Sequence, residues 1–327
     1  MPMRTLLATM LVLSLAMPAL AADRPYIPVG TAKTKKTVIA FPDIREKSPG
    51  LGDTIKAIRE TVVDDLSFMD LFKFLDKDAF VEDEKAGITI DGFKVSDWTS
   101  IGAEFVLKTA ITKETGRVAL EAYLYDTFGA KQVLAKRYVA VPNDAKTVGH
   151  TLANDVVEAL TGLPGIFLTK IVMSCDRTGS KELYIMDFDG TDVKQITHHR
   201  SIAFAPAWSP DGSKIAYSLY QKRKNNVKNI DLYQFDFNNN TIRMLSNRKG
   251  INSGAAYSPD GRKIALTMSF LGNPEVFSFD PSNNSVARLT KSFGFDVDPA
   301  FSPDGKQLAF VSSRSGCLLY TSPSPRD

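Results

Sequence analysis

The chain has 327 residues, of which 43% are hydrophobic and 24% are charged, and its formal net charge is +3. This length suits about two domains of ordinary globular composition, and the nearly balanced charge argues against a nucleic-acid-binding surface. Because there are only two cysteines, Cys175 and Cys317, a disulfide-rich scaffold is excluded. We expect no bridge between them and assign Cys175 to a strand as a small core residue.

Residues 1–21 have the features of a secretory signal peptide. Arg4 precedes an apolar run over residues 6–20, and the small residues Ala19 and Ala21 suit cleavage after Ala21. An uncleaved membrane anchor is the alternative, but the run is short and no second apolar span follows it. We therefore expect the mature protein to be soluble and exported.

Residues 22–36 are polar, contain two prolines and end in a cluster of lysines. Nothing in this stretch can bury a core, and so we expect a flexible arm. Such an arm is either an inert leader or a peptide that docks on a partner. The candidate docking residues are Asp23, Arg24, Pro25, Tyr26 and Ile27.

Residues 37–162 predict a small α/β domain that opens with a β run at residues 37–41. A helix with one apolar face follows, and we expect it to begin with Ser48 as N-cap and Pro49 as first helical residue. Residues 71–75 predict a short strand.

The second half of this domain predicts three strands joined by two hairpin-like turns, at Gly116 and Gly129. A second helix, at about residues 145–160, ends at Gly162, a residue that suits a left-handed helix end. The domain is therefore expected to end there, and a second domain to begin near Gly165.

The motif Ser-Pro-Asp-Gly occurs three times in the rest of the chain. Its copies begin at Ser209, Ser258 and Ser302, which are 49 and 44 residues apart. Two further patterns repeat with the same steps. A Leu-Tyr-x-x-Asp pattern ends at Asp187, Asp236 and Asp280, and a Leu/Ile-Thr/Ser pair ends at Thr197, Ser246 and Thr290. A repeat of about 45 residues with four short strands is the period of a β-propeller blade.

We interpret each Ser-Pro-Asp-Gly copy as a tight turn. Proline presets φ near about −65°, aspartate bonds nearby amides, and glycine accepts positive φ. These side chains are therefore assigned to the fold and not to catalysis or metal binding. The structural turn residues are Pro210, Asp211, Gly212, Pro259, Asp260, Gly261, Pro303, Asp304 and Gly305.

Residues 165–316 hold about 3.4 such repeats, whereas propellers close with four to eight blades. We therefore expect an α/β domain followed by an all-β propeller of the WD40-like type that is incomplete in this chain. Residues 317–327 stand where another strand is due, but they contain two prolines in the last five positions. We expect the native sequence to stop near Gly316.

The domain order and several phrases resemble the TolB family, the periplasmic propeller component of Tol–Pal systems. The resembling phrases are residues 68–76 and 96–108 in the first domain and residues 183–190, 195–197, 206–217 and 299–310 in the repeats. The resemblance covers about residues 24–316.

This resemblance implies a non-enzymatic scaffold in the Gram-negative periplasm, with no cofactor. It implies that the propeller mouth binds the peptidoglycan-associated lipoprotein Pal and that the N-terminal arm binds inner-membrane Tol proteins of the TolA type. Such a scaffold supports outer-membrane integrity and cell division.

The position of the motifs places the channel rim in the segments before each Ser-Pro-Asp-Gly strand, at residues 199–205, 249–255 and 293–298. These segments are either contact surfaces or solvated connectors. The partner-binding candidates are His199, Arg200, Ala205, Ile251, Asn252, Ser253, Gly254, Asp296, Val297 and Asp298.

The sequence contains no Gly-x-Ser-x-Gly elbow, phosphate-binding loop or zinc-protease motif. The adjacent pair His198 and His199 is a poor bidentate metal ligand, and the aspartates around Gly190 lack the distal glutamate of a calcium loop. One alternative is the propeller portion of an exported peptidase or hydrolase whose catalytic domain is missing, and another is a glycan- or small-molecule-binding propeller. The downstream coding sequence would separate the scaffold from the peptidase.

Overall fold

The computed structural model describes residues 35–83, 86–222 and 227–316. The expected signal peptide, the docking residues 23–27 of the arm and the tail 317–327 lie outside these ranges. The chain divides into two compact units between Leu168 and Thr169. Within the described ranges, no helix combines the length and apolar character needed to cross a bilayer.

The first unit is a mixed sheet with helices. Its elements are β1 (Thr37–Ala40), β2 (Arg45–Glu46), α1 (Gly52–Phe68), β3 (Phe72–Phe74), α2 (Val95–Ser100), β4 (Phe105–Glu114), β5 (Arg117–Asp126), β6 (Lys131–Ala140) and α3 (Ala145–Thr161), with 3₁₀ turns at Lys77–Ala79, Ile90–Gly92 and Pro142–Asp144. The strand order of the sheet is β3-β1-β4-β5-β6, and β2 pairs with β4.

Helix α1 begins later than predicted. It starts at Gly52 after Leu51, not at Ser48 and Pro49, so that prediction is wrong. The reason is tertiary: the Ser48 hydroxyl accepts a hydrogen bond from the backbone N–H of Lys113 in β4 at 3.2 Å. The Glu46 carboxylate instead accepts from the N–H of Leu51 at 2.8 Å.

Helices α1 and α3 pack against each other closely because a glycine lies at their contact. A Cβ atom on Gly149 would lie 2.7 Å from Cβ of Thr61 and 3.1 Å from the carbonyl oxygen of Ile58. Next to it, Nδ1 of His150 lies 2.7 Å from a carboxylate oxygen of Asp65, and both side chains are buried. Gly162 ends α3 in the left-handed conformation, as predicted.

The second unit consists of successive antiparallel sheets, which confirms the predicted propeller architecture. They are β7 (Lys170–Cys175), β8 (Glu182–Asp187) and β9 (Lys194–Gln195); β10 (Ile202–Trp208), β11 (Lys214–Lys222), β12 (Lys228–Asp236) and β13 (Thr241–Ser246); β14 (Asn252–Tyr257), β15 (Ile264–Met268), β16 (Glu275–Asp280) and β17 (Ser285–Arg288); and β18 (Asp296–Phe301) with β19 (Leu308–Ser312). The sheets that the structure describes form no closed ring, in agreement with the expected incomplete propeller.

Adjacent sheets share an apolar core. Ala216, Leu232 and Leu245 of one blade cluster with Leu266 and Phe277 of the next. The inner strands β10, β14 and β18 lie side by side. A four-stranded sheet alone cannot bury both faces, and stacking supplies the missing partner.

Replacing Gly149 by alanine tests the contact between α1 and α3. The new Cβ would meet Thr61 at 2.7 Å, and so we expect the unfolding free energy to fall by about 1–3 kcal/mol, although alanine normally favours a helix. Urea unfolding of the full chain measures this. Gly52→Ala is the matched control, because a Cβ there meets nothing within 4 Å. Equal stability of the two variants would contradict the close packing.

Candidate partner-binding rim

One end of the stacked sheets is formed by the Ser-Pro-Asp-Gly turns, which join β10 to β11, β14 to β15 and β18 to β19. Consecutive turns touch: a Cβ on Gly261 would lie 3.8 Å from Cδ of Pro210, and one on Gly305 would lie 3.4 Å from Cδ of Pro259. Since the turns gather at one end, the starts of β10, β14 and β18 gather at the opposite end. We call residues 199–205, 249–255 and 293–298 at that end the rim.

At the turn end, each aspartate is engaged by its own turn. The Asp211 carboxylate accepts from the hydroxyl of Ser209 at 2.6 Å and from the backbone N–H of Ser213 at 3.1 Å. These bonds from Ser209 and Ser213 lower the pKa of Asp211 to about 2. Asp260 and Asp304 accept the same pair of bonds in the next two turns.

At the rim end, a buried carboxylate holds the first segment in place. Glu182, at the start of β8, accepts from the hydroxyl of Thr197 at 2.6 Å and from the N–H of Arg200 at 2.6 Å. Burial alone would raise the pKa of Glu182, but the hydrogen bonds from Thr197, His199 and Arg200 outweigh it, and so the pKa lies below its ordinary value. The carboxylate therefore stays ionised.

Glu275 repeats this arrangement in the third sheet. It accepts from the hydroxyl of Thr290 at 2.6 Å and from the N–H of Ser292 at 2.8 Å, and Arg288 donates to it at 2.8 Å. Sequence reasoning missed these anchors. The sequence nevertheless contains a signal for them. An acidic residue stands directly before each Leu-Tyr-x-x-Asp pattern, at Glu182, Asp231 and Glu275, with the same steps of 49 and 44 residues.

The second rim segment is held by an amide, that of Asn252 at the start of β14. Asn252 donates to the carbonyl oxygens of Ile230 at 2.8 Å and of Arg248 at 2.7 Å, and it accepts from the hydroxyl of Ser246 at 2.7 Å. Asn252 is completely buried. Asn252 therefore holds the second rim segment in place from inside the protein.

Asp296 has a corresponding internal role at the start of β18. Its carboxylate accepts from Ser312 at 2.6 Å and from Arg314 at 2.8 Å, and its side chain is fully buried. Burial would raise the pKa of Asp296, but its hydrogen bonds to Ser312, Arg314 and Thr290 bring it below the ordinary value. Of the rim candidates, Asn252 and Asp296 therefore cannot touch a partner through their side chains.

A backbone bulge occurs at the same position of each inner strand. The register shifts between Phe204 and Ala207 and at the matching points of β14 and β18. Ala205, Gly254 and Asp298 occupy the shifts with φ of 48°, 62° and 49°. Only glycine adopts this left-handed conformation at little cost. In the Ser-Pro-Asp-Gly turns the left-handed positions are glycines, whereas Ala205 and Asp298 at the rim carry side chains.

The remaining rim candidates differ in exposure. Arg200, Ala205 and Asp298 are exposed, whereas His199, Ile251, Ser253, Gly254 and Val297 are half-buried. Nε2 of His199 lies 2.8 Å from the hydroxyl of Tyr217, and burial lowers the pKa of His199. Across the described residues, no group of three or more His, Cys, Asp or Glu side chains is placed to hold a metal ion.

The rim also presents apolar side chains that sequence reasoning did not select. Phe293 is fully exposed, and Phe295 and Leu271 are more than half exposed. Asn273 ties the Leu271 loop to the rim by donating to the carbonyl oxygen of Phe293 at 2.8 Å. Exposed apolar groups beside charged ones are typical of protein-binding surfaces.

Two known domains match this sequence. The TolB amino-terminal domain matches residues 25–133, and the TolB beta propeller domain matches residues 157–321, about half of the chain. The chain belongs to the TolB family. This confirms the resemblance drawn from the repeat and from the order of the domains.

Relatives and one solved structure agree with this membership. The chain is 35% identical to the Tol-Pal system protein TolB of Desulfosudis oleivorans over 65% of this chain and 49% of that protein. It is 36% identical to a TolB homolog of Chlorobaculum tepidum over 54% and 40%. The crystal structure of TolB from Acinetobacter baumannii superposes with a TM-score of 0.72 at 28% identity, over 87% of this chain and 68% of that one. The chain spans about half the length of the curated relatives it matches.

One substitution at each of two bulges tests the backbone strain at the rim. Ala205→Gly removes a side chain from φ 48°, and we expect the unfolding free energy to rise by up to about 1 kcal/mol. Gly254→Ala is the reciprocal change. Its Cβ would lie 2.7 Å from a carboxylate oxygen of Asp298, and we expect a loss of about 1–2 kcal/mol. Urea unfolding midpoints measure both changes. If the unfolding free energy changed in the same direction in the two variants, the assignment of backbone strain to Ala205 would be wrong.

The Glu182 anchor predicts a pH-dependent stability. The folded pKa is depressed, so the stabilisation is present above the unfolded pKa of about 4.3 and is lost as pH falls through the folded value. We expect Glu182→Gln to lower the unfolding free energy by about 1–3 kcal/mol at neutral pH, and the gap to the parent protein to narrow below about pH 4. Urea unfolding over this pH range measures it.

Glu158→Gln is the control, since Glu158 is exposed on α3. Its effect should be small at every pH. A gap for Glu182→Gln that stayed constant across the pH range would show that the carboxylate does not act through its charge.

Proposed function

We propose that this protein is a non-enzymatic scaffold of a Tol–Pal system that acts in the periplasm. Several of its curated relatives are named Tol-Pal system protein TolB, and membership of such a system entails contact with its other components. No cofactor is needed for this role. The N-terminal arm, with candidate residues 23–27, would serve the inner-membrane Tol proteins, and membranes would be reached only through these partners.

The rim is the proposed surface for the lipoprotein Pal. The observation that carries this proposal is the contrast between the two ends of the sheets. At the turn end, the aspartates are satisfied by their own turns. At the rim end, Phe293 is fully exposed on a segment that Glu275 and Asp296 anchor from within.

Anchoring matters because it reduces the entropy lost on binding. A loop that is already fixed in one conformation does not need to be ordered by the partner, and so more of the contact energy appears as affinity. An exposed aromatic side chain on such a loop is the kind of residue that dominates an interface. Arg200 and Asp298, in the first and third rim segments, add exposed charges of both signs, which can orient an approaching protein.

Truncating Phe293 tests the rim as the Pal-binding surface. We expect Phe293→Ala to weaken binding of the purified lipoprotein at least about tenfold, with no change in melting temperature because the side chain packs on nothing. Titration calorimetry or an immobilised-partner assay measures the dissociation constant.

The matched control is Phe128→Ala, which removes an equally large exposed ring from a turn in the first unit. It should bind as the parent protein does. Equal weakening by both variants, or binding that neither variant changes, would contradict a rim site. Absence of binding by the well-folded parent protein would remove the proposed partner.

A further inference from the structure

The first unit contains a cavity of about 340 Å³ that plays no part in the proposed rim. It lies beside the part of β4 that pairs with β5 alone, between the end of β1 and the start of β2. Among the residues that line it are Glu82, Trp98 and Lys108, together with Phe80 and Ile88. A volume of this size lies at the lower end of the range for small-molecule sites.

A buried ion pair forms one wall of the cavity. The ammonium group of Lys108 donates to Oε2 of Glu82, and the two side chains are 2% and 10% exposed. The same nitrogen lies 5.0 Å from the ring centre of Phe93 and 5.4 Å from that of Trp98. Burying such a pair is rarely favourable in itself, since apolar side chains of the same volume commonly serve the fold as well or better.

Two polar atoms at this cavity have no partner. They are Oε1 of Glu82 and Nε1 of Trp98, and Trp98 is only 1% exposed. In the ranges that the structure describes, four buried side-chain atoms lack a hydrogen bond, and three of them belong to residues that line the cavity. A third is the hydroxyl of Thr109, but alternation along β4 directs it to the face opposite Lys108.

These groups define the chemistry of a ligand. Trp98 offers an N–H donor, Lys108 has N–H groups beyond the one given to Glu82, and Glu82 offers an acceptor oxygen. A ligand carboxylate would be repelled by Glu82, and a ligand ammonium by Lys108. Nearby, Lys77 is already paired with Asp43. The cavity therefore favours a neutral ligand that accepts more hydrogen bonds than it donates.

We propose that this cavity binds a small neutral polyol of about the size of a monosaccharide. Each hydroxyl group carries two lone pairs and one proton, which matches the excess of donors over acceptors in the wall. One hydroxyl oxygen accepts from the indole N–H of Trp98, and one hydroxyl proton is donated to Oε1 of Glu82. The ring of Phe80 and the side chain of Ile88 face the carbon skeleton.

The two tryptophans of the chain make a direct test possible. Trp208→Phe leaves Trp98 as the single tryptophan, so that its emission reports on the cavity in the full chain. We expect glucose and N-acetylglucosamine to shift this emission to longer wavelength with a saturable dependence on concentration, because the indole N–H gains an acceptor. Acetate and acetamide, which test a carboxylate and an amide, should give no saturation at equal concentration.

Glu82→Gln in the same background should raise the apparent dissociation constant at least about tenfold. No saturable shift with either sugar up to about 50 mM, the weak end of measurable affinity, would overturn the proposal. So would saturation that Glu82→Gln leaves unchanged, or saturation by acetate or acetamide but not by a sugar.

A second measurement separates ligand binding from a structural role for Trp98. Trp98→Phe keeps an aromatic ring but removes the N–H and part of the buried indole, and so we expect a lower melting temperature without ligand, because a space is left in the core. The rise in melting temperature that the sugar gives the parent protein should be lost in Trp98→Phe and kept in Trp208→Phe. A rise in melting temperature with sugar that is undiminished in Trp98→Phe would show that Trp98 serves only the fold.

Discussion

The rim depends on buried acceptors that can be satisfied only by the segment they hold. Glu182 and Glu275 are removed from water, and a buried carboxylate without donors is very costly. Their donors are a threonine hydroxyl at the end of the blade and a backbone N–H of the segment that follows. The path of that segment is therefore set by the need to satisfy the carboxylate, although the segment itself contributes little to the apolar core.

The two ends of the sheets divide stability and recognition between them. At the turn end, Asp211 and its equivalents are satisfied within five residues of sequence, so each turn forms from local interactions. At the rim, Ala205 and Asp298 adopt left-handed backbone conformations that a local sequence would not select. Such strain persists only where the surrounding structure enforces it, and it is typical of functional surfaces.

The distance along the chain between interacting residues explains which features could be predicted from the sequence. The blades were predictable because proline, aspartate and glycine act within one turn and recur at fixed spacing. The start of α1 was not, because Ser48 bonds to β4, which lies more than sixty residues away. Likewise, Asn252 and Asp296 were predicted to contact a partner, yet the fold buries them, and Phe293 was not selected within its rim segment, yet the fold exposes it fully.

The rim and the cavity of the first unit differ in whether the protein itself completes the hydrogen bonds of their buried polar groups. At the rim, Glu275, Asn252 and Asp296 have their hydrogen bonds completed by the protein itself. A surface completed in this way is rigid before any partner arrives, which suits recognition of a folded macromolecule. In the cavity, Glu82 and Trp98 retain atoms with no partner. Groups left incomplete at a concave site favour a ligand small enough to enter and complete them.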